Sequence, residues 1–142
     1  MPPFQRKLTV PGMAADLPAI ADFVEAACEQ AAVDPVCRFD IQLAVEEACC
    51  NIIEHAYAGK GGRLTVNFET RDRDVIITLR DRGRPFDPAA VAAPDLMGSL
   101  AERPICGPGL HLMNRLMDQV RFSFDAAGNS LVMVKRDVVP TA

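Results

Sequence analysis

Three short groups of residues in this 142-residue chain have types and spacings that could do chemistry. The first is Glu47 with Asn51, four residues apart inside DIQLAVEEACCNIIEHAY (40–57). On a helix the two project the same way from neighbouring turns. A carboxylate there can accept a proton or orient a nucleophile. A carboxamide oxygen is a hard ligand suited to Mg²⁺, which commonly binds one or two protein oxygens plus phosphates and waters. The second group is Asp81-x-Gly83. Ionised Asp81 only accepts hydrogen bonds, so it can receive one from the exocyclic amine of a base. Gly83 lets the backbone turn and approach a flat ligand closely. The third is Gly107-Pro108-Gly109-Leu110, where exposed N–H groups at the start of a helix would suit phosphate. Each alone is weak. An E-x-x-x-N pair is mostly a solvated helix edge, D-x-G is a common turn, and many loops open a helix with glycine. No G-x-x-x-x-G-K-[ST] occurs, and Leu112 stands where a G-x-G-x-x-G motif would need its third glycine.

The elements that must hold these groups can be read from periodicity. Ile41, Ala44, Val45, Ala48, Cys49, Ile52, Ile53 and Ala56 form one apolar stripe at a period of 3.6. Glu47 and Asn51 flank that stripe, where polar groups are costly unless something uses them. Asp34-Pro35 reads as an N-cap with proline at the first helical position, and Gly59 as the C-terminal stop. Before this helix, Phe4, Leu8 and Val10 alternate as a short strand, and a helix capped by Asp16 follows. After it, Leu64, Val66 and Phe68, then Val75, Ile77 and Leu79, alternate around a charged turn at Arg71-Asp72. That is an antiparallel hairpin ending at Asp81, with Ile76 making its second strand apolar on both faces. Residues 89–106 have no period and read as a long connection of the kind that is functional or disordered. A short helix follows the glycines. Then Val120, Phe122 and Phe124 alternate, Gly128-Asn129 turns the chain, and Leu131 to Val134 close it. The economical packing is a two-layer α/β sandwich in the α+β class: a mostly antiparallel mixed sheet with helices on one face.

Composition narrows the function. A chain that is 49% hydrophobic fits one domain over 1–142. A net charge of -4 argues against a general nucleic-acid binder, and the arginines in RDRD (71–74) and RDRGR (80–84) alternate with aspartates. No apolar run approaches a membrane span, and MPPFQRKLTV lacks the apolar core of a signal peptide. Five cysteines without C-x-x-C pairing point to a reduced, cytoplasmic setting; Cys28, Cys37 and Cys49 serve as small hydrophobes. No spacing of these with His55 or His111 suits zinc.

Taken in order, Glu47-x-x-x-Asn51, Asp81-x-Gly83-x-x-Phe86 and Gly107-x-Gly109-Leu110 resemble the N, G1 and G2 boxes of the GHKL ATPase superfamily, which includes gyrase, the Hsp90 chaperones, histidine kinases and MutL. The likeness is strongest to the small anti-sigma-factor serine/threonine kinases of bacterial partner-switching systems. It implies ATP and Mg²⁺ as cofactors, a homodimer, a sigma factor as sequestered partner, and a serine or threonine of a STAS-type anti-anti-sigma protein as phosphoacceptor. By that resemblance Glu47 is the catalytic base, Asn51 holds Mg²⁺, Asp81 reads adenine beside Gly83 and Phe86, and Gly107, Gly109 and Leu110 hold phosphate. Residues 89–106 would be the ATP lid.

Two departures qualify the likeness. Pro85 stands where some relatives carry a second glycine, and Pro104-Ile105-Cys106 separates Arg103 from Gly107. His55 is expected to be structural, Glu46 solvated, and Met113, Met117 and Met133 part of the core. Two other functions stay open. One is a histidine-kinase-type catalytic domain, for which residues 1–34 leave little room for a dimerising hairpin. The other is a nucleotide-gated binding module without phosphate transfer, which has no need of a base at Glu47.

Overall fold

Strand alternation decides which side of the sheet meets the helices. In the computed structural model, which describes residues 4–86 and 110–140, β1 (Gln5–Val10), β2 (Leu64–Arg71), β3 (Asp74–Asp81), β4 (Gln119–Asp125) and β5 (Gly128–Lys135) form one sheet. Its order is β1-β2-β3-β5-β4, and all four pairings are antiparallel, so the mixed character expected of the sheet narrows to antiparallel among the described strands. Register places Leu64, Val66 and Phe68 opposite Asp81, Leu79 and Ile77, and these in turn opposite Asn129, Leu131 and Met133. That face is buried under α1 (Leu17–Gln30), α2 (Pro35–Asn51) and α3 (Leu110–Leu116). The result is the two-layer α+β sandwich, with Ile20, Val24, Ile41 and Val45 of the helices closing the core. Met113, Met117 and Met133 are all core residues.

α2 starts where the sequence says it should. Pro35 occupies the first turn, and Asp34 Oδ1 accepts a hydrogen bond from Val36 N at 3.0 Å. Its far end differs from a plain helix. From Ile52 to Ala56 the turns widen to the i→i+5 pattern, with Tyr57 N donating to Ile52 O at 3.0 Å. Gly59, at φ +76, then ends the run by donating to Ile53 O. The helical stripe remains buried through the widened stretch, which is why periodicity alone did not reveal it.

Two local readings need correction. Asp16 precedes α1 without capping it through its side chain; its carboxylate turns back to accept from Met13 N at 2.8 Å, around a single 3₁₀ turn at Ala14–Asp16. Gly128-Asn129 is not the final turn. Asp125 pairs with Gly128, so Ala126 and Ala127 make the reversal and Asn129 lies within β5. The expected lid at 89–106, together with Arg103, Gly107 and Gly109, lies outside the described residues. Among the described residues, no helix is long and apolar enough to cross a membrane.

Candidate functional site

Glu47 and Asn51 come from the last turns of α2, and both are buried, 7% and 4% exposed. Glu46, one residue earlier, is exposed. A carboxylate and a carboxamide buried on one helix are rare without a task. Asn51 Nδ2 is a buried donor with no hydrogen-bond partner among the described residues. An orphaned amide of this kind costs free energy until a ligand or ion satisfies it. Turning the carboxamide by 180° presents its oxygen to the same space, which suits a hard cation. Among the described residues, no cluster of three or more His, Cys, Asp or Glu could hold a metal. An ion at Asn51 therefore needs most of its oxygens from a ligand, the usual pattern for Mg²⁺ on phosphates.

Across from α2, Asp81 ends β3 on the helix-covered face and is 5% exposed. Its Oδ1 accepts from Gly83 N at 2.9 Å and from Asn129 Nδ2 at 2.7 Å. The second hydrogen of Asn129 Nδ2 goes to Gly83 O at 3.0 Å, which fixes the orientation of that amide because both its partners are acceptors. Among the described residues Oδ2 of Asp81 receives no hydrogen bond, so it is the oxygen left for an amine. Burial pushes the Asp81 carboxyl above its ordinary range, while the Asn129 and Gly83 hydrogen bonds pull it back.

Gly83 is required for a reason the sequence did not supply. A Cβ there would stand 2.5 Å from Ala56 O and 2.7 Å from Ala56 Cβ, so the strand end packs directly on the widened helix end. Arg84 N donates to Ala56 O at 3.0 Å, and Arg84 Nε to His55 O at 2.9 Å. These carbonyls lie at the end of the widened turn, where the helix makes no further claim on them. Tyr57 adds a second clamp. Its hydroxyl accepts from Arg82 N at 2.8 Å and donates to Arg63 O. His55 packs its ring on Phe86, centroids 5.6 Å apart.

Asn51, Asp81 and Phe86 line one cavity together with Met113, Phe122 and Asn129. The walls are mostly apolar, as a nucleobase would need, with the Asp81 and Asn129 polar groups at one end. The free space is about 10 Å³, so a purine enters only if the side chains part. Asn129 was missed from the sequence because Gly-Asn reads as a turn. The signal that finds it is phase: Leu131 and Met133 face the core, so Asn129 must as well. Phe122 and Phe124, read only as strand residues, also line the cavity. Leu110 opens α3, the expected position for the phosphate-binding helix.

Comparison with known proteins agrees with this arrangement. Residues 10–135 match the family described as Histidine kinase-like ATPase domain. The chain is 33% identical over 100 residues to Serine-protein kinase RsbW of Bacillus cereus (strain B4264), an alignment covering 68% of this chain and 62% of that protein. It is 32% identical, with the same coverage, to Serine-protein kinase RsbW of Bacillus anthracis. The aligned region thus spans 62% of the length of these curated relatives. Among solved structures, the RsbU and RsbW domains of Rv1364c from Mycobacterium tuberculosis superpose with a TM-score of 0.68. That match covers 99% of this chain and 33% of the other at 19% identity, a likeness of fold. A family match over nearly the whole chain, on a sheet and helix order that brings two of the three sequence boxes to one cavity, makes this protein a member of the histidine kinase-like (GHKL) ATPase domain family.

Proposed function

We propose that the protein binds Mg-ATP and transfers the γ-phosphoryl group to a serine or threonine of an anti-anti-sigma partner, as one arm of a partner switch that otherwise sequesters a sigma factor. The observation that carries the reading is the Asp81 carboxylate, held by one oxygen and open at the other, facing a cavity that Asn51 also lines. Asp81 Oδ2 accepts the adenine amine. Asn51 offers its oxygen to Mg²⁺, which when bound neutralises phosphate charge. Glu47 takes the proton of the attacking hydroxyl, whose oxygen bonds the γ-phosphorus as ADP leaves. Burial of Glu47 limits the access of bulk water to that carboxylate. The choice of serine or threonine over histidine is supported by identity to proteins named serine-protein kinases.

The test is single-turnover phosphate transfer to a candidate serine-bearing partner, run beside nucleotide titration. Glu47→Gln is expected to bind Mg-ATP as the wild type does, yet lose about 10²–10⁴-fold in transfer rate. Asn51→Ala should weaken both binding and transfer. A wild type that binds ATP and partner without transferring phosphate would establish the nucleotide-gated binding module instead.

A further inference from the structure

Among the described residues no helix covers the second face of the sheet, and that face is not the neutral polar surface alternation usually gives. Register brings Thr9, Thr65, Arg80, Ser130 and Ser123 into one row across all five strands. Lys7, Asn67, Thr78, Val132 and Arg121 form the next row, and Gln5, Glu69, Ile76, Val134 and Gln119 the third. At one end of this face lies a cleft of about 320 Å³, lined by Lys7, Arg63, Arg80 and Arg82 with Thr65 and Ser130. All four cations are exposed, and none forms a salt bridge or side-chain hydrogen bond among the described residues. With Arg71 and Arg121, this face carries six cations against Glu69, Asp74 and Asp125, in a chain whose net charge is -4. Beyond the cleft, Ile76 of β3 and Val132 and Val134 of β5 form a half-buried β-branched patch on the same face.

We propose that this face docks a partner protein through a segment in which carboxylates alternate with apolar side chains. Charge complementarity selects the carboxylates, since unpaired cations in an acidic protein form a local field that draws acidic groups. The apolar patch selects a protein over a nucleic acid, because a phosphate backbone offers nothing to Ile76, Val132 and Val134. A second copy of this chain fits poorly. Pairing the face with itself doubles its cationic excess, which Glu69, Asp74 and Asp125 offset only in part, and like charges oppose such contact. The strand rows lie on the opposite side of the sheet from the helix-covered Asp81 cavity, and the cleft meets that cavity only at the strand ends, where Asp81, Asn129 and Ser130 line both, so the docking argument uses none of the nucleotide contacts.

A synthetic peptide of alternating glutamate and leucine, with a lysine–leucine peptide as control, is the probe. Titrated into isotopically labelled full-length protein, the acidic peptide is expected to shift amide signals of β1, β3, β4 and β5 on the open face. Arg80→Glu and Arg121→Glu should each weaken it by about tenfold, and added salt should weaken it further. Nucleotide affinity measured on both variants, expected to be that of the wild type, confirms that they fold. Shifts mapping elsewhere, or affinity indifferent to both reversals, would overturn the proposal. So would binding of an oligothymidine to the same residues, or an ultracentrifuge dimer that Arg80→Glu dissociates, since either gives the face another occupant.

Discussion

Asp81 carries opposing demands on stability and recognition. Burial raises its carboxyl above the ordinary 3.8, so the folded chain holds that proton more tightly than the unfolded chain does. Stability therefore falls as pH rises from 3.8 through the raised value, and the penalty is fully present at neutral pH. Asp81→Asn removes the charge and keeps an oxygen for Gly83 and Asn129. At pH 7 it is expected to melt at or above the wild-type temperature, with the gap closing as pH drops toward 3.8, while ATP affinity falls by about 1–3 kcal/mol. Scanning calorimetry and nucleotide titration check the two halves, and a melting temperature well below wild type at pH 7 would contradict the first. Asn129→Ala should leave the carboxylate held by Gly83 N alone and reduce discrimination of ATP from GTP, measured by competition. At this scale the sequence was legible where a residue has a distinctive neighbour, as Asp81 has in Gly83. It was silent on Asn129, whose partners lie 48 and 46 residues away in the chain.

The elements meet where the widened end of α2 touches the end of β3. Gly83→Ala would drive a methyl group into the Ala56 backbone, so the strand end must lift and both clamps through Arg84 loosen. The expected result is a lower melting temperature together with weaker nucleotide binding. Tyr57→Phe is a gentler version. It deletes the hydroxyl shared by Arg82 N and Arg63 O and should cost about 1–3 kcal/mol in denaturant unfolding, because two backbone groups lose a partner. The elements themselves were largely legible: the strand phases, Asp34-Pro35 at the start of α2, and Gly59 at its end. What was hidden is the five-residue widening between Ile52 and Ala56. An i→i+5 turn keeps apolar residues on nearly the same side, so hydrophobic spacing records the stripe and not the hydrogen-bond pattern.

Across the whole molecule, the core lies between one sheet face and three helices, and two thiols report on it. Burial pushes Cys28 up to about 11 and Cys49 up to about 12, so neither presents a thiolate at neutral pH. Alkylation of these two sites, resolved by mass spectrometry, is expected to follow global unfolding in urea; rapid labelling of either in the native protein would place it outside the core. The layer order was foreseeable because buried positions recur at every second residue along β3 and β5, the central strands beneath the helices. The character of the open face was not, since cations scattered through the sequence gather only once register is known. Among the described residues, the same register leaves β1 and β4 each with one unpaired side. Bare strand edges are templates on which further chains add without end. Here the consecutive Arg6 and Lys7 stand on one rim and Arg121 on the other. Asp125 offsets Arg121 on the β4 rim, so it is joining two β1 rims that would bring cation to cation; at low ionic strength that edge resists growing into a fibre, and concentrated salt removes the protection first.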